Sequence, residues 1–117
     1  MLIGPHSPFG NQSLFAISES QAGFAMTVID HWRQRAADIL APTVAATDDF
    51  NARLREGYPN TTWATGCDSW YIGADGLPHA WPFSPQEHRD LLKHLEPGHW
   101  ELTHHRDQTP AGATAAP

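Results

Sequence analysis

Three kinds of residue in this chain could carry chemistry. Gly4 and Gly10 bracket a proline-containing loop that leads into a helical pattern from about Ser13. At a helix start, unsatisfied backbone N–H groups and the helix dipole favour an electron-rich ligand atom, although an ordinary strand-to-helix turn reads the same. Eight histidines invite a metal, above all His99, His104 and His105, and His88 with His94. Six residues apart, His88 and His94 fall on different faces of a helix, and no H-E-x-x-H pair exists, so surface histidines are the expectation. The single cysteine, Cys67, is either a small buried thiol or, with a base beside it, a nucleophile. His31 beside Asp30, and Ser69, sit in no G-x-S-x-G nucleophile elbow. Five tryptophans are a heavy load, and Trp63, Trp70, Trp81 and Trp100 crowd the second half. Their flat faces either pack a core or stack on a planar ligand.

The elements that must position these residues can be read from local signals. Met1 to Ile3 is an apolar stub, expected as the end of a strand, and Gly4-Pro5 and Ser7-Pro8-Phe9-Gly10-Asn11 form a turn-rich loop after it. From Ser13 to Leu40, Leu14, Ile17, Phe24, Val28, Trp32, Ile39 and Leu40 recur at helical spacing. The expectation is one long amphipathic helix, capped by Asn11 or Ser13 and stopped at Ala41-Pro42. A second helix is expected over Asp48 to Glu56, closed by Gly57 in a left-handed conformation, with Phe50 and Leu54 as anchors. Thr61 to Thr65 and Ser69 to Ile72 read as short tryptophan-rich strands, the second followed by an Ala74-Asp75-Gly76 turn. Ser84-Pro85-Gln86-Glu87 is a capping box that opens a helix to about Leu95, expected to bury Leu91, Leu92 and Leu95. Residues 106–117, rich in Thr, Pro and Ala, are expected to be a disordered tail behind a single unit of residues 1–105.

Composition narrows the function. The chain has 117 residues, room for one domain and too few for two dinucleotide-binding units. Seven basic against thirteen acidic side chains give a net charge of −6, which argues against nucleic acid as a partner. One cysteine excludes an internal disulfide and a zinc site of several thiolates. With no signal-peptide pattern and no membrane-length apolar run, the expected location is the cytoplasm, away from membranes. Neither G-x-G-x-x-G after a strand nor a Walker-type loop occurs, and no hydrolase or metalloenzyme motif is present.

Four segments, in order, carry a family resemblance: Gly4-Pro5-His6-Ser7-Pro8, Glu19-Ser20-Gln21, Trp63-Ala64-Thr65-Gly66-Cys67-Asp68-Ser69-Trp70-Tyr71 and Trp81-Pro82. Over Leu2 to Trp100 the chain resembles the C-terminal part of class B flavoprotein monooxygenases, most of all the Baeyer-Villiger and related bacterial branch. The resemblance implies a fragment of α/β or α+β class, the C-terminal piece of a Rossmann-type architecture that binds FAD and NAD(P). It implies that the Gly4 to Ser13 loop and the following helix start lie against the flavin ring, whose pyrimidine edge gains negative charge on reduction. The cofactor-binding residues it points to are Pro8, Phe9, Asn11, Gln12, Ser13, Leu14 and, near bound NADPH, Trp70. Complete enzymes of this family use FAD and NADPH to pass one oxygen atom of O2 to a ketone, nitrogen or sulfur substrate. Their nucleotide fingerprints lie upstream of the matching region, so the chain alone is expected to bind no cofactor and to be inactive. Its implied partner is a separate N-terminal half, with a homo-oligomer also open. The alternative is a free-standing interaction or dimerisation module.

Overall fold

A computed structural model describes residues 2–10, 12–66 and 69–104. Cys67, Asn11 and the expected tail at 106–117 lie outside them. Among the described residues the fold is α+β, with three helices and a two-stranded antiparallel sheet.

Helix α1, Leu14–Arg35, is the long helix of the sequence, but it stops earlier than Leu40. Ala36 takes a left-handed conformation (φ 49°) and its N–H returns to the Arg33 carbonyl, while Arg33 and Arg35 sit at the negative end of the helix dipole. Ile39 and Leu40 leave the helix because they have a partner elsewhere. Strand β1, Ile39–Pro42, pairs with β2, Trp100–Thr103, from Ile39 opposite Thr103 to Pro42 opposite Trp100. Pro42, which has no N–H to give a ladder, takes the end of the strand.

Helix α2, Val44–Gly57, begins four residues before the expected Asp48, because Thr43 caps it by accepting the Ala46 N–H at 3.2 Å. Gly57 is not its left-handed terminus: its φ is −78° and the chain continues into a 3-10 turn at Tyr58–Asn60. What requires glycine there is space, since a Cβ would stand 2.7 Å from the Phe83 ring and 2.8 Å from Pro82.

The tryptophan-rich strands do not form. Thr62–Thr65 is a 3-10 turn in which Thr65 Oγ1 donates to the Thr62 carbonyl at 2.7 Å, and Thr61 Oγ1 does the same to Tyr58. Such local bonds compete with strand formation, and among the described residues no strand lies alongside to reward it. Of Ser69 to Ile72, only Ile72 makes a bridge, to Pro78 across the Gly73 to Leu77 turn, with Gly76 at φ 75°. Of the N-terminal stub, Leu2 and Ile3 form a turn and not a strand end, with Ile3 at φ 53°.

Helix α3, Pro85–Leu91, has the expected capping box in full, Ser84 Oγ accepting from the Glu87 N–H and Glu87 accepting from the Ser84 N–H. It ends at Leu91 and buries His88, while Leu91 is exposed and Leu92 and Leu95 are only partly covered. The core is small: Leu54, Tyr58 and Trp81, with Phe50, Leu77 and Phe83 packed on it.

Candidate functional site

The loop between Gly4 and Phe9 is fastened on three sides. Gln21, two turns into α1, accepts the Ile3 N–H through Oε1 at 2.6 Å and donates from Nε2 to Ser7 Oγ at 2.8 Å. Ser7 is 1% exposed, and its carbonyl accepts the Trp81 N–H at 3.3 Å. The His6 N–H donates to the His79 carbonyl at 2.9 Å, and His6 Nδ1 lies 3.1 Å from the Tyr58 hydroxyl. His6 is held with φ at 62°, a conformation most residues avoid, so these bonds over-determine a strained backbone.

Burial and the nearby His79 hold the His6 imidazole below its usual pKa, with a backbone hydrogen bond at Ala80 acting the other way. Burial foremost, then Asp75, raises that of Tyr58. Both shifts favour the neutral forms of His6 and Tyr58, and the His6 tautomer sets which of the two donates. A cavity of about 100 Å³ opens beside this pair, lined also by Asp75 and His79.

The residues singled out from the sequence fall into two groups. Pro8 is buried and Phe9 is partly exposed, its ring stacked on Tyr71 at 4.8 Å between centroids. Gln12 Oε1 accepts from Arg89 Nη1 at 2.8 Å, which ties the helix entrance to α3. Ser13 is the N-cap of α1, but its side chain makes no capping bond, so the first-turn N–H groups are left without that partner. Leu14 is exposed, as is Trp70, at 82%. Asn11 lies outside the described residues. Trp70 stacks on Tyr71 at 3.8 Å, and Trp63 meets the same ring edge-on at 5.6 Å.

Tyr71 thus joins the two groups: Phe9 of the loop and Trp70 of the distant motif stack on one ring. In the sequence the only signal for Tyr71 is its place beside Trp70 in the Ser69-Trp70-Tyr71 stretch. Gln21 likewise had no signal in the sequence beyond its place in the Glu19-Ser20-Gln21 motif. The tryptophans differ in burial, Trp81 packing the core and donating from Nε1 to the Ser84 carbonyl at 2.9 Å, Trp70 lying open.

His88 departs from the expected surface histidine. It is buried edge-on against Trp81 at 5.3 Å, its Nδ1 has no hydrogen-bond partner among the described residues, and burial foremost, then Arg89, lowers its pKa. Among the described residues no group of three or more His, Cys, Asp or Glu could hold a metal ion. Among them too, no helix is long and apolar enough to cross a membrane. A cavity of about 600 Å³ between α1, α2, α3 and β2 is walled by Phe24, Phe50, Trp81 and Trp100.

No protein-family model and no solved structure matches the chain. Curated proteins do. An uncharacterized monooxygenase of Mycobacterium tuberculosis is 48% identical over 102 residues, 87% of this chain and 21% of that protein. A Baeyer-Villiger monooxygenase of Streptomyces coelicolor is 31% identical over 107 residues, 86% of this chain and 20% of that protein. An FAD-binding monooxygenase of Aspergillus niger is 27% identical over 88 residues, 70% of this chain and 14% of that protein. The chain therefore spans about a fifth of the length of the first two. The resemblance carried by the motifs is borne out, and the chain corresponds to the C-terminal part of a flavoprotein monooxygenase.

Proposed function

We propose that the chain is the flavin-facing C-terminal piece of an FAD- and NADPH-dependent monooxygenase of Baeyer-Villiger or N/S-oxygenating type, working in the cytoplasm. In this reading residues 1–105 complete a Rossmann-type architecture whose remaining part carries both nucleotide fingerprints. The identity of 48% over 87% of the chain carries the proposal. When bound, FAD reduced by NADPH supplies the activation of O2 from which one oxygen atom reaches the substrate.

The residues present fit such a group. The first turn of α1, without a side-chain cap from Ser13, leaves N–H donors for the electron-rich pyrimidine edge of a flavin, and among the described residues nothing lies within 4 Å of where a Cβ on Gly10 would be. Pro8, Phe9, Asn11, Gln12, Ser13 and Leu14 would border that edge, and the open face of Trp70 would meet the nicotinamide cofactor. Gln21 holds the loop to α1 and Arg89 holds Gln12, so the donors are set before any ligand arrives. Tyr71 fixes Trp70 relative to Phe9 by stacking on both.

The test is a chimera in which this chain replaces the matching stretch of the M. tuberculosis relative. The chimera is expected to retain FAD and to oxidise NADPH, whereas the chain alone does neither. Stoichiometric flavin on the isolated chain, or a well-folded chimera without flavin, would overturn the proposal.

A further inference from the structure

Helix α1 has two apolar faces, and only one of them is used. Ile17 is buried and Gln21 holds the loop, while Phe24 faces Trp100. On the neighbouring side stand Leu14, Phe15, Ala22, Met26, Ile29 and Trp32, which helical spacing lines up in one row about 30 Å long. Of these Phe15 is 89% exposed and Met26 55%, and Leu14, Ile29 and Trp32 are exposed too. The two faces together cover more of the helix than the stripe of about 100° or more that a surface helix carries, the pattern of a helix enclosed on both sides. The row does not end with the helix. An open groove of about 350 Å³ lined by Ile29, Trp32, Ile39 and Leu40 carries it onto β1, where Ile39 is 47% exposed.

We infer that this outward face of α1, continued by Ile39, is the seat of the rest of a flavoprotein monooxygenase, the four fifths that the chain does not cover in its relatives. The inference rests on the proposed function and adds where the two parts meet. Two observations select this occupant. The matched stretch is only 21% of the M. tuberculosis protein, so a body several times larger must lie against some surface of it. Six of the ten large apolar side chains exposed among the described residues, Leu14, Phe15, Met26, Ile29, Trp32 and Ile39, lie on this row and its continuation, and it begins at Leu14, at the helix start where the flavin is proposed to lie. Ala22, between Phe15 and Met26, lets another backbone come close to the middle of the row.

The test uses cysteine labelling on a Cys67→Ser background, in the isolated chain and in the chimera. Met26→Cys, on the outward face, is expected to react with a maleimide about tenfold or more slowly in the chimera than in the isolated chain, by the protection that a buried site acquires. Thr27→Cys, one residue on and on the polar side, is expected to react at one rate in both. Equal rates for Met26→Cys in a flavin-loaded chimera would overturn the seat and leave the proposed function standing. A folded chimera without flavin would overturn the function and the seat with it. Light scattering on the isolated chain gives a third outcome: a dimer in which Met26→Cys is already protected would assign the face to a second copy and overturn the inference.

Discussion

His6 and His88 are both kept neutral by burial, and that makes them the acid-sensitive points of the chain. Each has its pKa lowered from 6.5 in the folded state. Below that value the unfolded chain binds more protons than the folded one, so stability is full above about pH 6.5 and is lost as the pH falls through the folded values. The apparent melting temperature is expected to drop between pH 7 and pH 5, by circular dichroism. His88→Phe should reduce that drop, because the ring stays against Trp81 while the titrating nitrogens go. At pH 7 the same variant is expected to be neutral or stabilising by up to about 1 kcal/mol, since it removes a buried Nδ1 without a partner. A loss of more than about 1 kcal/mol would mean that Nδ1 is bonded after all. Gln21→Leu works in the opposite direction. It leaves the Ile3 N–H and the buried Ser7 hydroxyl unpaired, a cost of about 1–3 kcal/mol measurable by urea unfolding.

At the scale of elements, Gly57 separates two explanations. If it served helix propensity alone, Gly57→Ala would stabilise α2 by about 1 kcal/mol. The clash of a Cβ with Phe83 and Pro82 instead predicts a loss of about 1–3 kcal/mol by overpacking, and a stabilised variant in urea would refute it. Ser84→Ala is expected to cost about 1 kcal/mol through the capping box. That cap was legible because every residue of it lies within one turn. The glycine was misread for the converse reason: a terminator and a close approach look alike until Phe83, far along the chain, is in place. The same holds for β1 and β2, which exist through each other, and for Thr61 to Thr65 and Ser69 to Ile72, whose strand-forming residues find no strand to pair with among the described residues. In the candidate site, the loop and its entry into α1 were legible from glycine and proline, as was Trp70 from its motif. The contact between them was not, because Tyr71 brings them together only after the chain has folded back.

For the whole molecule, the balance between exposed and buried apolar residues sets its behaviour. Among the described residues the buried hydrophobics are Ile17, Ala37, Leu54, Tyr58, Ala80 and Trp81, two of them alanines, against ten large apolar side chains left exposed. The 22 residues of α1 contribute one buried residue to that set. A core of this size offsets little of the ordering entropy of about 1–2 kcal/mol per residue, so α1 should come free of α2 and α3 without disturbing them. Unfolding of the isolated chain is therefore expected to be shallow, with a urea m value below the range of about 1–3 kcal/mol/M usual for small domains. In the chimera, the outward face of α1 would join a common core and the same helix should melt together with the rest. Hydrogen exchange distinguishes the two: amides of Val28 to Trp32 should exchange far faster than those of Leu54 to Tyr58 in the isolated chain, and no faster in the chimera. A sharp single transition of the isolated chain, with α1 as protected as α2, would instead mark it as a unit sufficient in itself and favour the free-standing module.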